Sequence, residues 1–340
     1  MHRSKARLAV AFLLCLGFVL LSCGSVVAAP AAPRFIKIGT GFPGGIWYPA
    51  SAILAANLET ALKEAGMEAH CSIQSTGGAF NVAAVNDGVD MQVTLTTAQN
   101  QYLAYNGLDP YEKELKNLRL IGTQEVMITQ IVVPEKSDIK DVNHLKNRKV
   151  NGGKFASTDR IMMEALFKAY GMSFDDVKAA GGEVMALGWD DAAAMMQDGH
   201  MDCIGTFGGL MPSIVNLIVQ PGVRFLSFDD AHLDKWLADP TMQGFVKTTM
   251  QPGTYDRQDY PVNTVAVPTT IICNADLPDD LVYVITKTIY ESGYHTDPFA
   301  STAAKGWPKI CNPEDLPKVA NIPVHPGAMR YLKEKGIEVK

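Results

Sequence analysis

The chemistry this chain lacks narrows its function first. It has six cysteines in 340 residues, no C-x-x-C pair, and seven histidines scattered without ligand spacing, which speaks against a zinc or thioredoxin-like centre. No G-x-S-x-G elbow, H-E-x-x-H pair or Cys/His signature is present, so the common hydrolase layouts are missing. Basic charge is also in deficit: 30 Lys and Arg stand against 36 Asp and Glu, a net charge of −6, which does not suit nucleic acid. After the first twenty-odd residues no stretch is long and apolar enough to cross a bilayer. What remains is an ordinary globular composition, 47% hydrophobic, with length for one large or two medium domains.

The one long apolar run lies at the start. Arg3, Lys5 and Arg7 precede Leu8 to Leu21, and small residues follow to Ala32. This is the layout of a secretory signal, assigned to residues 1–29; an uncleaved N-terminal anchor is the alternative. Cleavage could fall after Ala28 or before Cys23, where Leu20-Leu21-Ser22-Cys23 loosely resembles a lipoprotein box. Loss of the three basic residues takes the mature chain from −6 to −9. Export leaves Cys71, Cys203, Cys273 and Cys311 in an oxidising compartment, as one or two disulfides or as buried thiols.

The mature chain is organised around Arg34 to Pro49, R-F-I-K-I-G-T-G-F-P-G-G-I-W-Y-P. Phe35, Ile36 and Ile38 predict a strand, a glycine-rich turn follows, and a helical pattern runs from about Ser51 to Gly66. Gly39, Gly41 and Gly44 match G-x-G-x-x-G. Pro43 interrupts the turn, however, Pro49 parts it from the helix, and the second strand ends in Gln74-Ser75-Thr76 without an acid for a ribose. No Gly-Lys-Ser/Thr follows for a P-loop. The turn reads instead as backbone N–H groups presented to a small anion, or as a tight turn alone.

The same unit recurs at Met67 to Asp87 and at Val89 to Tyr105. Leu118 to Val133 is too long for one ordinary strand and reads as two, or as one crossing between lobes. A second α/β lobe begins at Val150, with a helix from Arg160 to Tyr170 and a strand from Cys203 to Thr206. Asp229 to Thr249 reads as helix interrupted at Pro240, and Pro252 to Pro268 as an extended return to the first lobe. There Thr269 to Cys273 forms a strand, a helix runs from Pro278 to Ser292, and a short helix ends the chain. Residues 33–124 plus 262–340 make lobe 1 and residues 125–261 make lobe 2. Five strand-to-helix loops offer hydroxyls, backbone donors and aromatics for a solute: Thr40, Gly41, Gly44 and Gly45, with Trp47 and Tyr48; Ser75, Thr76, Gly77 and Gly78; Thr97 and Gln99; Ser157 and Thr158; and Phe207, Gly208 and Gly209. Arg160, beside the fourth loop, is the candidate to pair a carboxylate. The aromatics read equally well as core.

Four segments in order, I-G-T-G-F-P-G-G-I-W-Y-P at Ile38 to Pro49, Q-S-T-G-G at Gln74 to Gly78, G-T-Y-D-R-Q-D-Y at Gly253 to Tyr260 and P-V-H-P-G-A at Pro323 to Ala328, resemble the TAXI family of TRAP-transporter solute receptors. The resemblance implies an α/β, two-lobed periplasmic-binding-protein-like fold of class II, with crossover strands joining the lobes and a cleft between them. It implies a monomer without cofactor, metal or catalytic residue that passes a small organic acid, glutamate-type or dicarboxylate, to the TRAP membrane permease subunits. The chain departs from the family at Lys154 to Asp159, which lacks inner glycines, and at Trp47, where tyrosine is common. A ligand-binding partner of a sensor kinase and an exported hydrolase are the alternatives.

Overall fold

A computed structural model describes residues 33–41, 46–155, 157–293 and 312–339. The signal, Cys23, Gly44, Gly45 and Cys311 lie outside the described residues.

The first strand, β1 (Phe35–Thr40), leads to α1 (Trp47–Glu64), β2 (His70–Ser75), α2 (Gly78–Asp87), β3 (Val93–Thr97) and α3 (Ala98–Tyr105). The helix α1 starts four residues before the sequence reading: Pro49 lies within its first turn, where a missing N–H costs nothing. Strands β2 and β3 pair with β1 in parallel, as such crossovers require. Next comes β4 (Leu118–Pro134), one strand of 17 residues.

The chain continues with β5 (Lys149–Asn151), α4 (Thr158–Ala169), α5 (Phe174–Ala179), β6 (Glu183–Met185), α6 (Trp189–Gln197), β7 (Cys203–Gly208), α7 (Pro212–Val219), β8 (Val223–Phe225) and α8 (Asp230–Leu237). Here the structure corrects the sequence reading. The helix expected to run from Asp229 to Thr249 stops at Leu237, and Val246–Met250 is a strand, β9. The swivel at Gly244, with φ of 93°, re-aims the chain, and the β-branched Val246, Thr248 and Thr249 suit an edge pairing. The return segment and the strand after it are also one element, β10 (Val262–Asn274), with Pro268 inside it. The molecule ends with α9 (Asp279–Glu291) and α10 (Pro326–Glu334).

Among the described residues the strands form one mixed sheet of ten, in the order β2-β1-β3-β10-β4-β7-β5-β6, with β8 beside β4 and β9 beside β10. The strand β10 runs antiparallel to β3, β4 and β9, so it lies between two parallel-stranded regions. Its pairing with β4 extends from Asn274 opposite Leu118 to Ala266 opposite Ile128, and the register shifts between Pro268 and Thr270 and again between Ile271 and Ile272. At the first shift Gln124 and Glu125 stand against Thr269 alone, a bulge of the kind that bends a strand and admits a proline.

Three apolar clusters flank this sheet. One draws on β1, α1, β3, the first half of β4, the last residues of β10, α9 and α10. The others draw on the second half of β4, the first half of β10 and the elements between them, together with Ile46 and Ala98. The two long strands thus enter both sides, and the bulge lies where they pass from one to the other. Among the described cysteines Cys71, Cys203 and Cys273 are free thiols, and burial raises the pKa of each. Trp236 anchors the second side: it is fully buried and its indole N–H donates to the Met162 carbonyl at 3.0 Å. Trp236→Ala should therefore cost about 3–5 kcal/mol in urea-unfolding experiments, through the cavity it leaves.

Candidate functional site

A cavity of about 30 Å³ opens between the two sides of the sheet, next to the β4 and β10 bulge. It is lined by Gly41, Ile46, Trp47, Met127, Trp189, Phe207, Gly208, Gly209 and Met211. Gly41 follows β1, Trp47 opens α1, Met127 belongs to β4 just past the bulge, and Phe207 and Gly208 end β7. All but Met127, which lies mid-strand, are at strand ends or helix starts, where an open α/β sheet places its ligands. Phe207 stands edge-on to both tryptophans, with ring centroids 6.5 Å from each at 78° to Trp47 and 83° to Trp189. Trp47 packs against the apolar clusters of both sides.

Of the sequence-predicted site residues, the structure brings Gly41, Trp47, Phe207, Gly208 and Gly209 to this cavity. Thr40 precedes it, fully buried, and Ser75 and Thr76 act behind it: Ser75 donates to the Gly41 carbonyl at 3.0 Å, and Thr76 donates to the side chain of Asn81. Asn81 in turn donates to the Thr40 carbonyl at 3.0 Å, so these side chains tie the end of β1 in place. Gly77 and Gly78 supply the positive φ values, 65° and 52°, of the turn into α2. Thr97 caps α3, accepting from the Asn100 amide, and Gln99 reaches across to the Thr241 carbonyl at 2.7 Å. Tyr48 is half-buried and does not line the cavity.

The fourth loop serves a neighbouring hollow. Ser157 caps α4, and Ser157, Asp159 and Trp189 border a second cavity of about 210 Å³ with Lys154, Asp190 and Asp191. Thr158 is buried in the first turn of α4. Arg160 is turned to Glu164, 2.6 Å away, and stacks over Phe174 and Phe155; it lines neither cavity.

Sequence reasoning missed Ile46, Met127, Trp189 and Met211, whose apolar side chains carry no local signal of a site. It also missed the network that fixes the wall. Tyr255, from the G-T-Y-D-R-Q-D-Y segment, is buried and donates to Gln130 at 2.7 Å, while Gln130 donates to the Gly209 carbonyl at 3.1 Å. The Met211 amide donates to the Tyr255 hydroxyl at 3.4 Å. The geometry of the loop that carries Phe207 to Met211 therefore depends on two side chains distant in sequence.

Two electrostatic features mark the site. Two polar groups at its wall are buried without a hydrogen-bond partner, the Trp47 indole N–H and the hydroxyl of Thr40, which precedes Gly41; the hydroxyls of Ser51 and Thr269 and the Gln99 side-chain oxygen are unpartnered too. Such orphans cost about 1–3 kcal/mol each unless something completes them. The second feature is Asp159, fully buried behind the aromatic wall, where it accepts from the Trp189 indole and the Phe207 amide, both at 3.2 Å. Burial raises its pKa from 3.8 to about 7, against the opposing pull of those hydrogen bonds.

The folded state thus holds the Asp159 proton more tightly than the unfolded chain. The stability linked to that proton is complete below about pH 3.8 and lost as pH rises to about 7. Melting temperatures measured across this window should fall more steeply for the native chain than for Asp159→Asn, which has no proton to lose.

The fold and family follow from comparison with known proteins. The alkanesulfonate-binding protein SsuA from Xanthomonas axonopodis pv. citri, solved bound to MOPS, is similar at a TM-score of 0.50 and 15% identity, over 89% of this chain and 84% of that one. PhnD1 from Prochlorococcus marinus, solved with methylphosphonate, is similar at 0.51 and 13% identity, over 82% of this chain and 92% of the other. The architecture is that of periplasmic binding proteins, and among the described residues no helix is long and apolar enough to cross a membrane. Residues 38–336 match the NMT1-like family, and with most of the 340 residues inside that match, this chain belongs to it.

Proposed function

We propose that this protein is an exported receptor that binds a small organic anion between two lobes, residues 33–124 plus 262–340 and residues 125–261, and delivers it as a monomer to a membrane permease. The TAXI resemblance of the four sequence segments makes that permease the membrane part of a TRAP-type secondary transporter, and the periplasm its place of work. The observation that carries the reading is the Trp47 indole N–H, buried without a partner on a residue of the cavity wall, with the unpartnered Thr40 hydroxyl one residue before Gly41 of the same wall. Neutral donors at strand ends and helix starts suit a carboxylate, each charge-assisted bond contributing about 1.5–3 kcal/mol. The bulged β4 and β10 pair supplies the bend for closure.

Freshly purified protein, once denatured, should release a small acid detectable by mass spectrometry. In a thermal-shift screen organic acids should raise the melting temperature, and sugars or cations acting alone would overturn the reading. Small-angle scattering should show a smaller radius of gyration with a bound acid than without it.

A further inference from the structure

We infer that the solute is a monoanion whose remaining body is apolar, a branched, aromatic or thioether monocarboxylate, and that the site rejects dicarboxylates and glutamate-type acids. This rests on the receptor reading above and goes beyond it by naming the half of the solute that enters the cavity.

Among the described residues the cavity's side chains are one isoleucine, two methionines, two tryptophans and one phenylalanine, with three glycines, and none of these is charged. A second carboxylate entering it would lose its water and gain no cation, since Arg160, the candidate from sequence, is engaged with Glu164 outside the cavity. Two carboxyl groups of the protein lie near the wall, one beside Gly209 and one buried behind the rings. Glu125 Oε2 is 4.0 Å from where a Cβ on Gly209 would sit, and Asp159 lies directly behind Trp189 and Phe207. The aromatic faces and the two methionines, by contrast, suit a compact carbon or sulfur body, because thioethers adapt their shape and contact rings favourably. The anionic end is then left to the orphaned donors beside Gly41, the Trp47 N–H among them.

The test is calorimetric titration of the mature chain with matched pairs: hexanoate against adipate, 4-methylpentanoate against glutamate, and phenylacetate as the aromatic probe. The apolar monoacids should bind at least about 100-fold more tightly than their doubly charged partners, the scale set by burying an unpaired charge. Trp189→Ala should weaken phenylacetate by about 10- to 100-fold, the loss expected of a ring contact in a buried wall. Thermal melts check that the variant is folded. If adipate or glutamate binds as tightly as the apolar acids, this inference falls while the anion receptor stands. If none of these acids binds and the denatured protein releases no acid, both fall together.

Discussion

Everything in this molecule hangs on the antiparallel pairing of β4 with β10. One strand of 17 residues and one of 13 lie side by side through all three apolar clusters, so the backbone hydrogen bonds of a single ladder hold both sides of the sheet. A continuous flat ladder would make them one rigid body. The two register shifts in its middle prevent that, because a bulge breaks the regular pairing and increases the local twist. The cavity stands at that break, with Met127 two residues past Glu125 and Thr269 opposite.

The site inherits its character from this arrangement. Strands from either side end against the junction, β1 from one and β7 from the other, and each contributes a glycine-bearing loop. Side chains further back decide how firmly those loops are held. On one side Ser75, Thr76 and Asn81 fasten the end of β1; on the other Gln130 and Tyr255 fasten Gly209 and Met211. The aromatic wall rests on Asp159 through the Trp189 indole and the Phe207 amide. Binding surfaces of this kind work when their supporting hydrogen bonds are complete and only the groups facing the ligand are left open.

The TAXI resemblance and the cavity pull the ligand question in different directions. The family implies glutamate-type amino acids and dicarboxylates, whereas the cavity walls are apolar, with carboxyl groups near them. The departures from the family pattern help to explain the difference. Asp159 stands in the loop where inner glycines are common, and Gly153, with φ of 82°, keeps only 2.7 Å between a would-be Cβ and that of Asp159. The glycine that remains therefore makes room for the acid.

Much of the architecture was legible in the sequence because its causes are local. Periodicity marks α1, α4 and α9, the β-branched runs mark β1, β4 and β7, and the glycine-bearing turns locate Gly41 and Gly208 at the ends of strands. The strand β9 was not legible: Val246 to Met250 is short and reads as the tail of the preceding helix despite Pro240 and Gly244, and only the edge of β10 gives those residues a partner. The same holds for the site. Glycine and hydroxyl loops announce themselves, but Trp189, Met127 and Met211 look like core residues until the fold brings them around one space, and Arg160 looks like an anion ligand until Glu164 is seen to hold it. Backbone conformation and hydrophobic period belong to neighbouring residues, so the sequence by itself determined the elements and the turns. Which side chains face one another across the cavity depends on contacts among residues far apart in the chain, and only the tertiary structure decided that.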